Sequence, residues 1–309
     1  MPRLAILCPG QGAQHAHMFE LVCQDAQTRE QLAQWDLPRY LDMPLQQLLD
    51  RPDLLFRNKY AQVVIVAAAM AAWTALQKFL PRPHLVMGYS IGEVSAYGIA
   101  GALTATETLA LAGARAELMD QAKNRTPPQR MLAVSGVAPA SVAGLLARHD
   151  LSVAIVTGEV NFIVGGLAAS IDTAMPEIAA LGGEVTSIPV EIASHTVLMQ
   201  TAALPFQQVL AAAPFRDTVI PVISGTGAEP VVAKAVARER LLGQLTQTIR
   251  WSDCMDACVE QGVDVALELG PGAALSRMLQ KRHPDIACRS LQDFRSLAGL
   301  ADWLDRHCS

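Results

Sequence analysis

The sequence predicts an α/β protein: a parallel sheet flanked by helices, with a smaller β-α-β-β-α-β unit inserted in its middle. Three observations carry this. The 309-residue chain is 51% hydrophobic but only 5% aromatic, and its excess of Ala, Leu and Val suits buried parallel strands under packed helices. Short apolar runs alternate with helical stretches along much of the chain. Finally, Gly88-Tyr89-Ser90-Ile91-Gly92 follows the apolar run Leu85-Val86-Met87 and precedes an Ala-rich helical stretch, a strand–turn–helix with a serine at its apex. A chain of this length accommodates one large core plus an insertion.

Taken in order, residues 4–8 form an apolar strand running into the loop Pro9-Gly10-Gln11-Gly12. Residues 58–80 have helical spacing and stop before Pro81. Within them, Ala61 to Trp73 is the most apolar stretch, too short to span a bilayer and read as a core helix. Residues 85–87 are the strand before Ser90, and residues 95–122 read as two helices broken near 98–104. From residue 129 the pattern changes to strand 131–134, helix 140–148, strands 151–156 and 161–165, helix 170–181 and strand 184–190. That is the order of a ferredoxin-like unit, entered through Thr126-Pro127-Pro128. It divides the chain into a large domain of residues 1–126 and 194–309 and a subdomain of residues 127–193. Beyond it, 194–212 reads as helix, 219–224 as strand, 238–246 as the start of a helix, and 265–269 as a strand closed by Gly270-Pro271-Gly272.

Composition narrows the function classes. Net charge is −5 with no long basic run, which argues against nucleic-acid binding. The small basic clusters Lys123-Asn124-Arg125 and Lys281-Arg282-His283 are either solvated helix ends or docking points for an acidic or phosphate-bearing partner. Cys254 and Cys258 are one helical turn apart, but no second ligand pair accompanies them; the six cysteines read as reduced thiols, and no metal is expected. The N-terminus lacks the basic and apolar regions of a signal peptide, so a cytoplasmic protein without membrane association is expected.

Ser90 is the candidate for chemistry. Its turn lifts a hydroxyl out of the sheet, and free N–H groups of the following helix can stabilise an oxyanion there. The same five residues also fit an ordinary βα turn with an N-cap serine. A nucleophilic serine needs a base. His15 and His17 follow the first Gly-rich loop, and His195 lies in Ile192-Ala193-Ser194-His195-Thr196, where the chain re-enters the large domain.

Taken together, these segments resemble the malonyl-CoA:acyl-carrier-protein transacylase family over nearly the whole chain. The carriers are Pro9-Gly10-Gln11-Gly12-Ala13-Gln14, Gly88-Tyr89-Ser90-Ile91-Gly92-Glu93, Gly113-Ala114-Arg115 with Met119, Ser194-His195-Thr196, Gln244 ahead of Trp251, and Gly270-Pro271-Gly272. The resemblance implies an α/β-hydrolase-like large domain with a ferredoxin-like subdomain. It implies Ser90 as nucleophile and His195 as its base, oriented by the main chain of Gln244. The N–H groups of Gln11 and Ile91 would form the oxyanion hole. Arg115 would clamp the free carboxylate of a malonyl group, a task suited to a planar guanidinium fork. No bound cofactor is implied: malonyl-CoA is the substrate, and the acceptor is the phosphopantetheine-type thiol of an acyl carrier protein.

Three positions depart from the fatty-acid-synthesis pattern. Tyr89 stands where such enzymes carry histidine, Ser194 where they carry phenylalanine, and Thr157-Gly158-Glu159-Val160-Asn161 lacks the proline of their loop. These changes resemble the acyltransferase (epsilon) subunit of malonate decarboxylase. That resemblance implies the decarboxylase carrier as acceptor and other malonate decarboxylase subunits as partners. The fatty-acid-synthesis transacylase, a serine hydrolase and a non-catalytic scaffolding subunit are the alternatives. Ser194 before the histidine also resembles polyketide acyltransferases, where a serine there goes with methylmalonyl selection, although Ile192 replaces the tyrosine of that motif; the resemblance implies that a branched acyl group stays open.

Overall fold

The computed structural model describes residues 2–308. Its first strands are β1 (Leu4–Cys8), β2 (Leu85–Gly88), β3 (Gln129–Ser135), β4 (Ser152–Gly158), β5 (Asn161–Leu167) and β6 (Glu184–Ile188). They are followed by β7 (Val222–Ile223), β8 (Pro230–Val231), β9 (Ile249–Arg250), β10 (Val265–Glu268) and β11 (Ala287–Ser290).

Six strands form one sheet in the order β11-β10-β1-β2-β7-β8, parallel throughout except for β8 at the edge. Every residue of β1, β2 and β10 is buried. That explains why these strands read as unbroken apolar runs: helices cover both faces. β1 and β2 are neighbours with Cys8 opposite Gly88, so the loops carrying Gln11 and Ser90 leave the sheet side by side at its carboxyl end.

The helix Asn58–Leu76 packs under the helices Gly92–Ile99 and Ala105–Lys123. By length and composition it could cross a membrane, yet 83% of its most apolar window is buried inside the protein. It is apolar all round because its neighbours surround it.

A second sheet has the order β6-β3-β5-β4-β9. Its first four strands are antiparallel in ferredoxin-like order, and β9 joins β4 in parallel from far along the chain. On one face, the helices Pro139–Arg148 and Ala168–Ala180 close a separate small core around Leu132, Phe162 and Val164. On the other, Met131 and Ile155 share a core with Leu7, Met87 and Ile223 of the large sheet and with the helix Trp251–Glu260. The two sheets are thus joined through apolar side chains beside the Ser90 turn.

Several elements differ from expectation. Residues 194–196 are not helical: the helix starts at Gln200, after a short 3-10 turn Val197–Met199. His195 takes a left-handed backbone with φ 62°, and the Thr196 side chain accepts from Leu198 N–H to start that turn. The strand expected at 219–224 is only Val222–Ile223. The helix expected from 238 begins at Lys234 and ends at Gln244. Four short helices within residues 26–55, the helices Trp251–Glu260, Ala274–Arg282 and Leu297–Cys308, and the strand β11 were not expected. Three of the short helices are only four or five residues long, too brief to show a helical period, and the fourth, Ala26–Gln34, is polar and buries only Thr28.

Candidate active site

The serine turn is held by backbone contact. A Cβ at Gly92 would lie 2.0 Å from the carbonyl oxygen of Cys8, and one at Gly88 would lie 2.2 Å from the amide of Glu93. Only glycine permits so tight a return of the chain against β1. Ser90 itself has φ 56°, the strained left-handed conformation that aims its side chain away from the sheet.

His195 meets it from across the chain. Its Nε2 lies 2.8 Å from Ser90 Oγ, and its Nδ1 lies 2.5 Å from the carbonyl oxygen of Gln244. A carbonyl can only accept, so Nδ1 carries the proton and Nε2 is free to accept from the serine hydroxyl. The backbone N–H of His195 donates to Leu245 at 2.9 Å, and Thr196 Oγ1 donates to the Ala193 carbonyl at 2.6 Å, which lock the loop. Burial, reinforced by the positive charge of Arg115, pushes the imidazole down to about 3, so it is neutral at ordinary pH.

Arg115 projects from the helix Ala105–Lys123 and is 1% exposed. Its Nη1 donates to Gln62 Oε1 at 2.7 Å and its Nη2 to Gln244 Oε1 at 3.0 Å. Its Nε has no partner, and among the described residues no carboxylate forms an ion pair with it. Burial lowers the guanidinium to about 10, which leaves it charged at neutral pH.

Ser90, His195 and Arg115 line one cavity of about 80 Å³, together with Gln11, Asn58 and Tyr89. That volume suits a short acyl group or a few waters. Met131, Ile155 and Ile163 of the second sheet make its apolar wall. Ser194 also lines it, and Tyr89 packs edge-on against Trp251 at 5.2 Å. Gln11 donates through Nε2 to Asn58 Oδ1 at 3.0 Å. The backbone N–H groups of Gln11 and Ile91 meet no acceptor among the described residues. A groove of about 610 Å³ lined by Arg57, Lys59 and Lys123 and by Asp53, Asp120 and Glu191 opens beside the cavity and shares Gln11, Asn58, Val190 and Ile192 with it.

His15 and His17 lie elsewhere, in a surface hollow beside Gln292. The cluster Lys281-Arg282-His283 is partly neutralised, since Arg282 and His283 both bind Asp256. Among the described residues no group of three or more His, Cys, Asp or Glu could hold a metal ion. Sequence reasoning missed Asn58, Gln62 and Glu93. A glutamine inside the apolar run 61–73 was the available signal for Gln62, and an acid directly after the serine turn was the signal for Glu93.

Residues 6–294 match the profile of the acyl transferase domain. The chain belongs to that family. It is 28% identical over 302 residues to the malonyl CoA-acyl carrier protein transacylase of Mycobacterium tuberculosis, covering 97% of this chain and 99% of that one. The malonyl-CoA:acyl carrier protein transacylase of Xanthomonas oryzae pv. oryzae superposes with a TM-score of 0.90 at 28% identity over 99% of both chains. The Helicobacter pylori counterpart superposes with a TM-score of 0.90 at 26% identity, over 99% of this chain and 100% of that one. The α/β fold with its parallel sheet is therefore that of an acyl transferase domain, and the protein is an acyltransferase. In such a domain, a serine–histidine pair beside a buried cation can capture an acyl group and read its far end.

Proposed function

We propose that this acyltransferase moves a malonyl group from malonyl-CoA, through an ester on Ser90, to the thiol of an acyl carrier protein. The observation that carries the reading is a serine–histidine pair and, in the same small cavity, a buried guanidinium without an ion-pair partner among the described residues. Ser90 Oγ attacks the thioester carbonyl while His195 Nε2 takes its proton. The N–H groups of Gln11 and Ile91 stabilise the oxyanion. The C–S bond breaks, and the imidazolium returns the proton to the departing CoA thiolate. The carrier thiol then gives its proton to His195 and attacks the ester, which regenerates Ser90. Arg115 takes the malonyl carboxylate through N–H groups not engaged by Gln62 and Gln244. Acetyl leaves that cation unpaired and is disfavoured. The unit at 127–193 supplies the apolar wall of the acyl pocket.

The names of the relatives favour the acyl carrier protein that such transacylases serve. A second reading has the carrier of malonate decarboxylase as acceptor. It rests on Tyr89 and Ser194, which both line the cavity and both depart from the fatty-acid pattern.

Intact mass after mixing with malonyl-, methylmalonyl- or acetyl-CoA tests the first half of the reaction. We expect a malonyl adduct on the wild type and none on Ser90→Ala. Offering both carriers to the malonyl-enzyme tests the second half: the preferred thiol identifies the partner. Release of free malonate in place of transfer would mark a hydrolase, and no adduct from any thioester would mark a scaffold.

A further inference from the structure

Among the described residues Arg115 has no ion-pair partner, yet it is not electrically isolated. One face of the Gln244 amide accepts from Arg115 Nη2 at 3.0 Å, and the other, Nε2, donates to Glu93 Oε2 at 2.5 Å. Glu93 is fully buried and does not line the cavity. Its Oε2 also accepts from the Gly225 amide at 3.1 Å, while Oε1 has no hydrogen-bond partner among the described residues. A Cβ at residue 225 would lie 2.9 Å from that Oε2, so the loop backbone approaches the carboxyl closely.

The groups facing Glu93 come from every neighbouring element. Gln244 ends the helix Lys234–Gln244, and Gly225 lies in the loop after β7. Arg115 attracts the carboxylate, while Glu229 repels it and is itself paired with Arg240 at 2.7 Å. Tyr97, one turn along its own helix, and the Cys254 thiol complete the surroundings. Burial outweighs the attractive contacts and holds the carboxyl up at about 7.

We propose that Glu93 is the built-in counter-charge of Arg115, acting through Gln244, and that a substrate carboxylate seated on Arg115 is accompanied by a proton taken up at Glu93. This rests on the reading that a malonyl group enters the cavity. In the resting site one cation and one acid share a single amide. A second carboxylate places two anions around one cation in a medium of low dielectric, and protonating the anion outside the cavity restores the balance. The proton comes from solvent, and only a carboxyl O–H bond forms. An acetyl group brings no charge and draws no proton. Glu93 is thus a positioning residue that couples malonyl selection to pH. Above about pH 7 the half-saturating malonyl-CoA concentration rises with pH, by up to about tenfold per unit, and below it the dependence fades.

The test is proton uptake during acyl-enzyme formation in weakly buffered solution, with adduct mass read on the same samples. Malonyl-CoA is compared with acetyl-CoA, which corrects for the released thiol, at about pH 6 and about pH 8 in wild type and Glu93→Gln. The wild type should take up close to one extra proton per malonyl at the higher pH and little at the lower, and Glu93→Gln should show no excess at either. Infrared difference spectra of protein labelled with carboxyl-13C glutamate should show a protonated glutamate band growing with malonyl loading. Among the described residues Glu268 is the other fully buried glutamate, so the same band persisting in Glu268→Gln assigns it to Glu93 even if Glu93→Gln fails to fold, and its loss there overturns the inference. A malonyl adduct without excess uptake, or with uptake unchanged in Glu93→Gln, overturns the inference and leaves the transferase reading standing. No adduct from any thioester overturns both.

Discussion

The two ends of the cavity are built from different materials. At the serine end the parts are placed by backbone: left-handed Ser90 and His195, glycines at 88 and 92 that allow the tight return, and a main-chain carbonyl at Gln244 that sets the imidazole tautomer. At the arginine end the parts are placed by side chains: two amides, Gln62 and Gln244, hold the guanidinium, and Gln244 passes on to Glu93. Backbone placement tolerates most side-chain changes beside it, though not a side chain at Gly88 or Gly92. Side-chain placement changes with every substitution. The acylation chemistry should therefore be robust, and acyl selection tunable. Gln244 belongs to both ends: its carbonyl orients His195, and its amide holds Arg115 and Glu93 while also donating to the Ser90 carbonyl at 3.2 Å.

The largest effect expected is at the serine end. His195→Ala removes the proton acceptor and should slow acylation about 1000-fold, by stopped-flow with any acyl-CoA. At the arginine end, Arg115→Lys keeps a charge but not the fork, and should cut the malonyl-over-acetyl preference about 100-fold while acetyl loading persists. Gln244→Ala divides the two ends. It keeps the carbonyl that orients His195 and removes only one 3.2 Å bond to the Ser90 carbonyl at that end, so maximal acylation should fall no more than about tenfold, while the malonyl-over-acetyl preference drops about tenfold as Arg115 and Glu93 lose their shared amide. An equal fall in both quantities would dissolve the distinction.

The smallest expected change is in the pH profile. With His195 held at about 3, acylation at saturating substrate should show no acid limb near the ordinary histidine value of 6.5. Stability behaves differently: between 6.5 and about 3 the unfolded chain binds a proton at His195 that the folded chain refuses, so stability falls as pH drops through that window. Melting curves across that range, for wild type and His195→Ala, check the sign.

Much of this architecture is local and so was legible. The strands at 4–8 and 85–88, the turn at Ser90 and the ferredoxin-like order all rest on residues close in the chain. Elements with mixed polarity were harder. The helix Trp251–Glu260 shows apolar and polar residues in nearly equal measure, and its burial between the two sheets is set by partners far away in sequence. The stretch 194–212 misled in the opposite sense. Its helical composition is real from Gln200 onward, but His195 is held out of the helix by Leu245 and Gln244, and residues 197–199 form only a 3-10 turn.

By itself the sequence determined the alternation of strand and helix, the glycine-flanked serine turn and the presence of an arginine in an apolar helix, because each is a property of near neighbours. Only the tertiary structure decided that Ser90 and His195, 105 positions apart, come within a hydrogen bond, and that Gln244 lies between Arg115 and Glu93, 129 and 151 positions away. No periodicity encodes such pairs. They exist because two sheets share one apolar core, and buried polar groups beside that core must find partners wherever the packing brings them.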